Sequence, residues 1–561
     1  MMEQDMEVGF RTVGGCLGNV PEKCLPGLHA CYRLVGAALE EGAGEFGERL
    51  WLLIESGLLA VVEMSDGARR AGGGKKQRAM RVNMVRRAVD RRIGLFLAGR
   101  YRAAWEEVAP VVRVGVVGGV KGKAGEKKKK ARVVRGEDEG AAQRRKAAAA
   151  ARDGDMRKAA QHLVTLGVLT HNDEAYEALQ SLHPQEVEEL GDLVFDRAAA
   201  ARQEAAGVEG EAGADWAAAR FDWAGAIARQ DPRGEGDLIR AFVEVVLLKL
   251  NKRRGAGPSG MRLDVYAQMG QHGFGGCLWP LVLRMLKGEL GEGMAAATGS
   301  ASLFALRKCA ENNKPRPVAC GEARRRLMGK ALHVATGVRQ ADFCKSHQQF
   351  GVGLPGGVEA CVRAVKLTAE VDADSAVLTT DAVNAYNEMK RRAMLKGARV
   401  HMPEVLPAMS MLYGKPTRLF VRMEDGSERV ILSCRGPQQG CPLGNLAFDL
   451  GIATPVLRMM EKYPGLGFPT IVDDITIVSH GVAGKAQAVE AMGDLYGRYG
   501  RTAGGATILL EPGLLNEVGL RANTSKFKVF CQTGIPRELK ARLPAVVEYV
   551  ESAKGVLVGQ C

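Results

Sequence analysis

The residues of this sequence best suited to chemistry are two adjacent aspartates, Asp473 and Asp474. They separate two short runs rich in β-branched residues, 470–472 and 475–478, a pattern that predicts a strand, a tight turn carrying both aspartates, and a second strand. Neighbouring carboxylates repel each other unless a cation compensates them, and carboxylate oxygens are common ligands of divalent metals. Because an Asp-Asp pair by itself usually marks a solvated turn, it indicates a metal site only if further residues complete it.

A third aspartate, Asp381, is the candidate to complete such a site. It follows the apolar run 376–380, which predicts a buried strand, and it precedes a predicted helix from about residue 385 to residue 397. If this strand lies beside the hairpin that carries Asp473 and Asp474, the three carboxylates could together hold divalent cations.

Two basic segments lie upstream of this strand. Arg316 stands between two prolines, two residues after Lys314, and an arginine held rigidly at a strand edge suits a fixed contact with a triphosphate. The charge run 324–326, on a predicted helix that continues to Val338, is by itself more typical of a solvated face.

Glycine-rich turns precede two predicted helices. The segment 349–357 leads into one of them, and its glycines leave a phosphate-binding loop open as an interpretation, although neither the Walker nor the dinucleotide spacing is present. The turn 435–443 contains Gln439 and Gly440 and opens onto a long helix, which Pro455 should kink or end halfway.

Composition indicates a globular protein with an excess of positive charge. The chain has 561 residues, 46% of them hydrophobic, and a formal net charge of +14, which favours a polyanionic partner such as nucleic acid. Its 12 cysteines include no C-x-x-C pair, a pattern typical of reduced thiols. One group matches no zinc spacing and is interpreted as buried or free thiols: Cys16, Cys24, His29 and Cys31.

The N-terminal half shows helical periodicity interrupted by a basic segment. Apolar residues recur at helical spacing over 27–105 and again over 155–250. Between them, 121–146 is rich in Lys, Arg and Ala and is interpreted as a linker or exposed charged helix, with phosphate contacts or a nuclear-import signal as alternatives. No signal peptide is visible and the apolar stretch 50–62 is short, so we expect no membrane insertion.

Taken in order, these segments resemble the polymerase core of reverse transcriptases, most closely those of non-LTR (LINE-type) retrotransposons, over roughly residues 251 to 561. Asp381 matches the motif A aspartate, and Asp473 with Asp474 matches the motif C pair. Tyr386 matches the aromatic steric gate that rejects a ribose 2′-hydroxyl, although a tyrosine there is also typical of a protein core.

The resemblance implies further roles. Gln439 and Gly440 resemble motif B, which lines the templating and incoming nucleotides, and Lys314 with Arg316 resembles the fingers segment that grips the triphosphate. Lys526 resembles the motif D lysine, expected either to protonate pyrophosphate or to contact phosphate. Three other segments resemble the N-terminal finger motif, the loop before motif A and the start of the primer grip: 256–260, 349–350 and 555–559.

The fold implied by the resemblance is an α+β right-hand polymerase, in which an antiparallel palm sheet is backed by helices and the fingers and N-terminal region are largely helical. The implied activity is RNA-directed DNA synthesis with two Mg²⁺ ions held by Asp381, Asp473 and Asp474. The expected partners are an RNA template, a DNA primer or target and deoxynucleoside triphosphates, in the nucleus or otherwise the cytoplasm. The implied organisation begins with a helical region of unknown role (1–120), a basic flexible linker (121–154) and a second helical region (155–250). The fingers (251–370) and the palm with motifs A to D (371–532) follow, and the start of the primer grip (533–561) comes last, with the thumb absent.

Departures from the family pattern keep alternatives open. The family usually has an aromatic residue in place of Ile471, an aspartate in place of Ser259 and a serine in place of Gly444. In addition, the chain stops at the expected primer grip. One alternative is therefore a truncated, catalytically inactive nucleic-acid-binding relic. Another is an RNA-dependent RNA polymerase, which Tyr386 disfavours because ribonucleotide use requires a smaller or hydrogen-bonding residue at that position.

Overall fold

The computed structural model describes residues 17, 19–60, 75–108, 168–250, 255–307, 314–379, 381–502, 507–540, 543 and 547–549. The expected basic linker and the expected primer-grip segment at 555–559 lie outside these residues, as does Cys16.

The N-terminal part of the described chain is helical, as its apolar periodicity predicts. Leu28, Val35 and Leu39 are seven and four residues apart, and all three are buried on one face of the first long helix. Cys24 and Cys31 are buried and free, which confirms the buried-thiol interpretation for these two. Burial raises the pKa of both thiols to about 12. The helices of this part are α1 (Leu25–Glu40), α2 (Gly44–Leu53), α3 (Lys75–Leu97) and α4 (Tyr101–Glu106).

Short helices continue from residue 173 to residue 299. Four of them are preceded by an N-cap residue whose side chain accepts a hydrogen bond from an N–H of the first turn. These N-cap residues are Asn172, Asp196, Asp222 and Asp237. The helices are α5 (Asp173–Ser181), α6 (Arg197–Ala206), α7 (Ala214–Ala219), α8 (Trp223–Ala228), α9 (Leu238–Ala241), α10 (Leu263–Gln271), α11 (Trp279–Leu286) and α12 (Glu292–Gly299).

The strands of the described chain form two larger sheets and one hairpin. In chain order they are β1 (Ala301–Arg307), β2 (Pro315–Gly321), β3 (Val377–Thr379), β4 (Thr417–Arg422), β5 (Glu428–Ser433), β6 (Thr470–Ile471), β7 (Asp474–Val478), β8 (Arg498–Arg501), β9 (Thr507–Glu511), β10 (Phe527–Phe530) and β11 (Val547–Tyr549). The pair β8 and β9 forms the separate hairpin.

The first sheet has the order β2-β1-β4-β5, with β1 parallel to β4 and the other neighbours antiparallel. Strand β2 is an edge strand, a position that accommodates prolines because one row of N–H groups needs no strand partner. The region expected to form largely helical fingers therefore also contains two paired strands, 301–307 and 315–321.

The second sheet has the order β11-β10-β3-β7-β6. The expected antiparallel arrangement is confirmed for β10, β3, β7 and β6, whereas the edge strand β11 runs parallel to β10. Alternate residues point to opposite faces, so that Val377, Val478 and Phe530 pack together on one face, while Leu378 and Ile477 join the main core on the other. Both faces of this sheet are thus covered, which fixes its register.

Helices cover these sheets and connect their strands. They are α13 (Ala323–Ser346), α14 (Gly357–Val371), α15 (Ala385–Glu388), α16 (Arg391–His401), α17 (Leu406–Tyr413), α18 (Gly444–Lys462), α19 (Gly481–Tyr496), α20 (Leu514–Glu517) and α21 (Arg537–Lys540).

Three helix predictions need correction. The single helix predicted for 385–397 is two helices, because the N–H of Lys390 donates to the C=O of Val518 and Glu188 caps the start of α16. Helix α18 continues through Pro455, so the alternative in which this proline ends its first half is wrong. The solvated face predicted for 324–326 is wrong for its first two arginines, which are fully buried.

One hydrophobic core contains residues from the N-terminal helices, from the middle helices and from the second sheet, including Leu28, Met285, Leu378, Leu450 and Phe527. Among the helices that the structure describes, none is both long enough and apolar enough to cross a membrane.

Candidate active site

The order of the second sheet brings three chain segments to one edge. Strand β3 is antiparallel to both of its neighbours, β7 and β10, so the end of β3 meets the beginnings of the other two. Asp381 follows the last residue of β3 by two positions, Asp473 and Asp474 stand at the start of β7, and Lys526 immediately precedes β10. The sheet therefore assembles all four residues that the sequence marks as candidates for catalysis.

Asp381 and Lys526 form an ion pair, in which the lysine ammonium donates a hydrogen bond to a carboxylate oxygen. Backbone hydrogen bonds hold the two segments together: the N–H of Asn523 donates to the C=O of Asp381 at 2.7 Å, and that of Val383 to the C=O of Arg521 at 2.9 Å. The Asp381 and Lys526 side chains are 31% and 50% exposed, so a ligand can reach both from solvent.

Asp473 and Asp474 are half-buried, and their surroundings favour the protonated forms. Burial raises the pKa of Asp473 and the negative charge of Asp381 raises it further, whereas Arg316 and Lys526 lower it. Burial, followed by repulsion from Asp473 and Asp381, raises the pKa of Asp474 to about 8. A cation close to these carboxylates would relieve the repulsion.

The donor atoms at this edge fit a hard divalent cation, because Mg²⁺ prefers carboxylate oxygens. In the part of the chain that the structure describes, however, no three Asp, Glu, His or Cys side chains are grouped so as to hold a metal ion as they stand. Asp381 is instead paired with Lys526 through Oδ2. The assignment of Asp381, Asp473 and Asp474 as metal ligands stays a prediction.

Arg316 acts on this edge from the first sheet. It is exposed on the edge strand β2 between two prolines, which confirms the strand-edge prediction, and Lys314 is exposed immediately before the strand. The positive charge of Arg316 lowers the pKa of Asp473, so the guanidinium lies within electrostatic range of that carboxylate. The first sheet therefore contributes positive charge near the candidate carboxylates.

The turn that carries Gln439 and Gly440 holds β2 against α18. The N–H of Ala319 in β2 donates to the C=O of Gln439 at 2.7 Å. Gly440 has a φ of +108°, and a Cβ there would lie 2.4 Å from the carbonyl oxygen of Ala319, so a side chain would displace the strand. Gln439 is half-buried and Gly440 is exposed. The turn thus sets the position of the strand that carries Arg316.

Tyr386 lies on the short helix α15 and stacks on Phe448 of α18, with ring centroids 5.0 Å apart and 13° between the planes. Its hydroxyl donates to Asn445 Oδ1 at 2.5 Å. Burial raises the pKa of Tyr386 and the charge of Asp473 adds to the effect, so the ring is near the candidate carboxylates. Its role as a steric gate stays a prediction.

The buried Asp449 is a residue that the sequence analysis missed. It lies on α18 and accepts a hydrogen bond from Gln349 Nε2 at 2.9 Å, while a ring nitrogen of His347 lies 2.9 Å from the same oxygen. The sequence holds a signal for it, since Asp449 interrupts an apolar stripe that includes Leu446, and a buried carboxylate requires polar partners.

Comparisons with known proteins find a similar sequence and similar solved structures. No protein-family model matches the chain. The chain is 30% identical over 203 residues to the "Retrotransposable element SLACS 132 kDa protein" of Trypanosoma brucei gambiense, a match that covers 34% of this chain. The chain spans 16% of the length of that relative.

A solved structure of apo telomerase from Candida tropicalis, truncated from its C-terminal domain, is similar at a TM-score of 0.26 and 9% sequence identity. The similarity covers 41% of this chain and 49% of the telomerase chain. A likeness of this size does not establish a shared function.

Proposed function

We propose that this chain is an RNA-directed DNA polymerase of the kind that retrotransposons encode, which adds deoxynucleotides to a primer 3′-hydroxyl. The observation that carries the proposal is the meeting of Asp381, Asp473, Asp474 and Lys526 at one edge of the second sheet. Sequence similarity to a retrotransposable-element protein supports the same class.

The three aspartates would hold Mg²⁺ through their carboxylate oxygens. Two such ions, when bound, supply activation of the attacking hydroxyl and neutralisation of the leaving pyrophosphate. The carboxylates repel one another when they are ionised, and this repulsion is part of what raises the pKa values of Asp473 and Asp474. Relief of that repulsion favours cation binding.

Positive side chains around the same edge would bind the triphosphate. Arg316 can bond phosphate oxygens bidentately from its rigid strand, and Lys314 adds a point charge. Lys526, beside Asp381, either donates a proton to the leaving pyrophosphate or contacts phosphate directly.

Selection of the nucleotide would fall to α15 and to the turn before α18. The ring of Tyr386, stacked on Phe448, excludes a 2′-hydroxyl by occupying its space. Gln439 and Gly440 line the templating and incoming nucleotides, next to the strand that carries Arg316.

Primer extension on an RNA template with Mg²⁺ tests this proposal, with deoxynucleotides and ribonucleotides compared side by side. We expect the wild-type chain to extend the primer with deoxynucleotides, and Asp473→Asn to lower the rate by about 10³-fold or more because a metal-binding carboxylate is removed. Asp342→Asn is the matched control at an exposed aspartate that pairs with Lys345 on α13, and it should retain the wild-type rate.

Template binding, measured on the same samples, distinguishes a protein that binds nucleic acid without catalysis from one that does not bind the template at all. Absence of extension with the template bound would reject polymerase activity in favour of a nucleic-acid-binding protein. Faster extension with ribonucleotides than with deoxynucleotides would favour an RNA-dependent RNA polymerase instead.

A further inference from the structure

The backbone immediately before Asp473 is strained. Val472 has a φ of +59°, a left-handed conformation that β-branched residues rarely adopt because Cβ clashes with the neighbouring backbone. The direction in which Asp473 leaves the turn depends on this conformation. A strained conformation of this kind persists only where the surrounding contacts hold it.

The side chain of Gln349 supplies those contacts. Its Oε1 accepts a hydrogen bond from the N–H of Val472 at 2.9 Å, and its Nε2 donates to the C=O of the same residue at 3.3 Å. Oε1 also accepts from the N–H of Gly351 at 2.9 Å. Gln349 is fully buried, and its one amide group bonds to both polar backbone groups of the half-buried Val472.

Asp449 fixes the orientation of that amide. Its Oδ1 accepts from Gln349 Nε2 at 2.9 Å and lies 2.9 Å from His347 Nε2, and its Oδ2 accepts from Cys344 Sγ at 3.5 Å. Because a carboxylate only accepts hydrogen bonds, the amide nitrogen of Gln349 must face Asp449, which directs Oε1 at the N–H of the turn.

The backbone around Gln349 is also attached to the hairpin. The N–H of Phe350 donates to the C=O of Thr470 at 2.7 Å, and the N–H of Thr470 donates to the C=O of Gln348 at 2.8 Å. At Gly351 a Cβ would lie 2.7 Å from the nitrogen of Val472, so the glycine permits the close approach. The segment therefore wraps the turn that presents the aspartates.

We propose that Gln349 is a positioning residue for Asp473: together with Asp449 it holds Val472 in the left-handed conformation and so sets the direction of the Asp473 carboxylate at the sheet edge that it shares with Asp381. The kinetic part of this inference rests on the proposed polymerase function, whereas its structural part does not. The glycine-rich segment 349–357 then serves the hairpin rather than a phosphate group.

Two matched variants test the proposal. Gln349→Met removes the amide at similar length, and Gln340→Met removes another buried amide, one that bonds to Thr336 and His333 away from the hairpin. For Gln349→Met we expect kcat to fall about 10–100-fold while KM for the deoxynucleotide changes less than about twofold, since the residue orients a group that acts in the chemical step. Gln340→Met should keep both constants within about threefold of the wild type.

Hydrogen–deuterium exchange of a peptide spanning residues 468–478 gives a readout without catalysis. Removal of the Gln349 acceptor frees the N–H of Val472, so exchange in this peptide should become about tenfold faster in Gln349→Met than in the wild type or in Gln340→Met. Circular dichroism and melting curves establish that all three proteins are folded.

Rescue by glycine separates positioning from a general packing role. Glycine adopts a φ near +59° without steric cost, so Val472→Gly in the Gln349→Met background should raise kcat at least about fivefold above that of Gln349→Met alone. If Gln349 merely fills the core, the second substitution removes further packing and kcat does not rise.

The inference would be overturned if Gln349→Met kept the kcat and the exchange rate of the wild type. It would also be overturned if Val472→Gly did not raise the kcat of Gln349→Met. If the wild-type chain extends no primer, the proposed function fails, and exchange at the hairpin then decides the structural part: faster exchange supports it and unchanged exchange overturns it. Should Gln349→Met fail to fold, Asp449→Asn replaces it. This variant removes the carboxylate that orients the Gln349 amide, so the hydrogen bonds from the amide to Val472 become weaker. We then expect the same changes in kcat and in exchange, and the same rescue by Val472→Gly.

Discussion

At the scale of single residues, the pKa of Asp474 reflects burial and the repulsion between the carboxylates of the candidate site. Burial and two neighbouring aspartates raise its pKa to about 8, whereas a carboxyl in an unfolded chain titrates near pH 4, roughly the value of a model peptide. Between these values the folded chain retains a proton that the unfolded chain has released. The contribution of Asp474 to stability therefore falls as the pH rises through this window, and it is constant above and below it.

We expect the free energy of unfolding of the metal-free wild type to decrease relative to that of Asp474→Asn between about pH 4 and about pH 8. The asparagine variant lacks this titration, so the difference between the two proteins should be largest above about pH 8, where the folded-state carboxyl of Asp474 is ionised. Denaturant unfolding at several pH values measures it. A difference independent of pH would contradict the raised pKa.

Tyr386 permits a second prediction at this scale, because its ring and its hydroxyl have separate partners, Phe448 and Asn445. Tyr386→Val removes the ring, and we expect the ratio of kcat/KM for deoxynucleotides to that for ribonucleotides to fall about tenfold or more. Tyr386→Phe keeps the ring and should retain the ratio within about threefold. Equal losses in both variants would assign the discrimination to the hydroxyl instead.

At the scale of elements, the long helix α13 is joined to the N-terminal region by a buried ion pair. Arg324 Nη1 donates to Glu55 Oε2 at 2.5 Å, and Arg324 Nε donates to Thr298 Oγ1 at 2.8 Å. Glu55 also accepts from Trp51 Nε1 at 2.7 Å. Both side chains of the pair are fully buried. Because Glu55 compensates its charge, Arg324 can lie inside the protein although a charge run by itself favours solvent.

Removal of one partner from this pair should be strongly destabilising. We expect Glu55→Gln to lower the free energy of unfolding by about 3 kcal/mol, because the buried Arg324 would lose its nearest counter-charge and keep only the Glu322 carboxylate, 3.9 Å away. The matched control is Glu359→Gln, which breaks an exposed pair with Arg363 on α14 and should cost less than about 1 kcal/mol. Urea unfolding of the two variants tests this, and equal losses would show that burial of the pair is unimportant.

At the scale of the whole molecule, the excess positive charge predicts salt-dependent binding of nucleic acid. With a net charge of +14, we expect the affinity for an RNA template to fall linearly with salt on a double-logarithmic plot. Replacing residues 121–154 by a Gly/Ser spacer of equal length should reduce that slope by about 1 for each phosphate that the basic segment neutralises in the wild type. Filter binding at several salt concentrations measures both slopes, and an unchanged slope would favour the solvated-spacer interpretation.

The sequence by itself determined the local features of this protein. It predicted the strand, turn and strand around Asp473 and Asp474, the placement of Arg316 on a strand edge and the strand that ends before Asp381. The structure confirms these features, except that Asp474 is the first residue of β7 and not part of the turn. These features follow from the backbone preferences of neighbouring residues, such as β-branched residues in strands and proline at an edge.

Only the tertiary structure decided how those features meet. It paired Asp381 with Lys526, divided the predicted helix at Lys390 and set the strained turn at Val472 against Gln349. Each of these outcomes depends on a hydrogen bond or a charge from a residue more than 100 positions away along the chain. Local patterns carry no record of such contacts, because they form only when the packed core brings distant segments together.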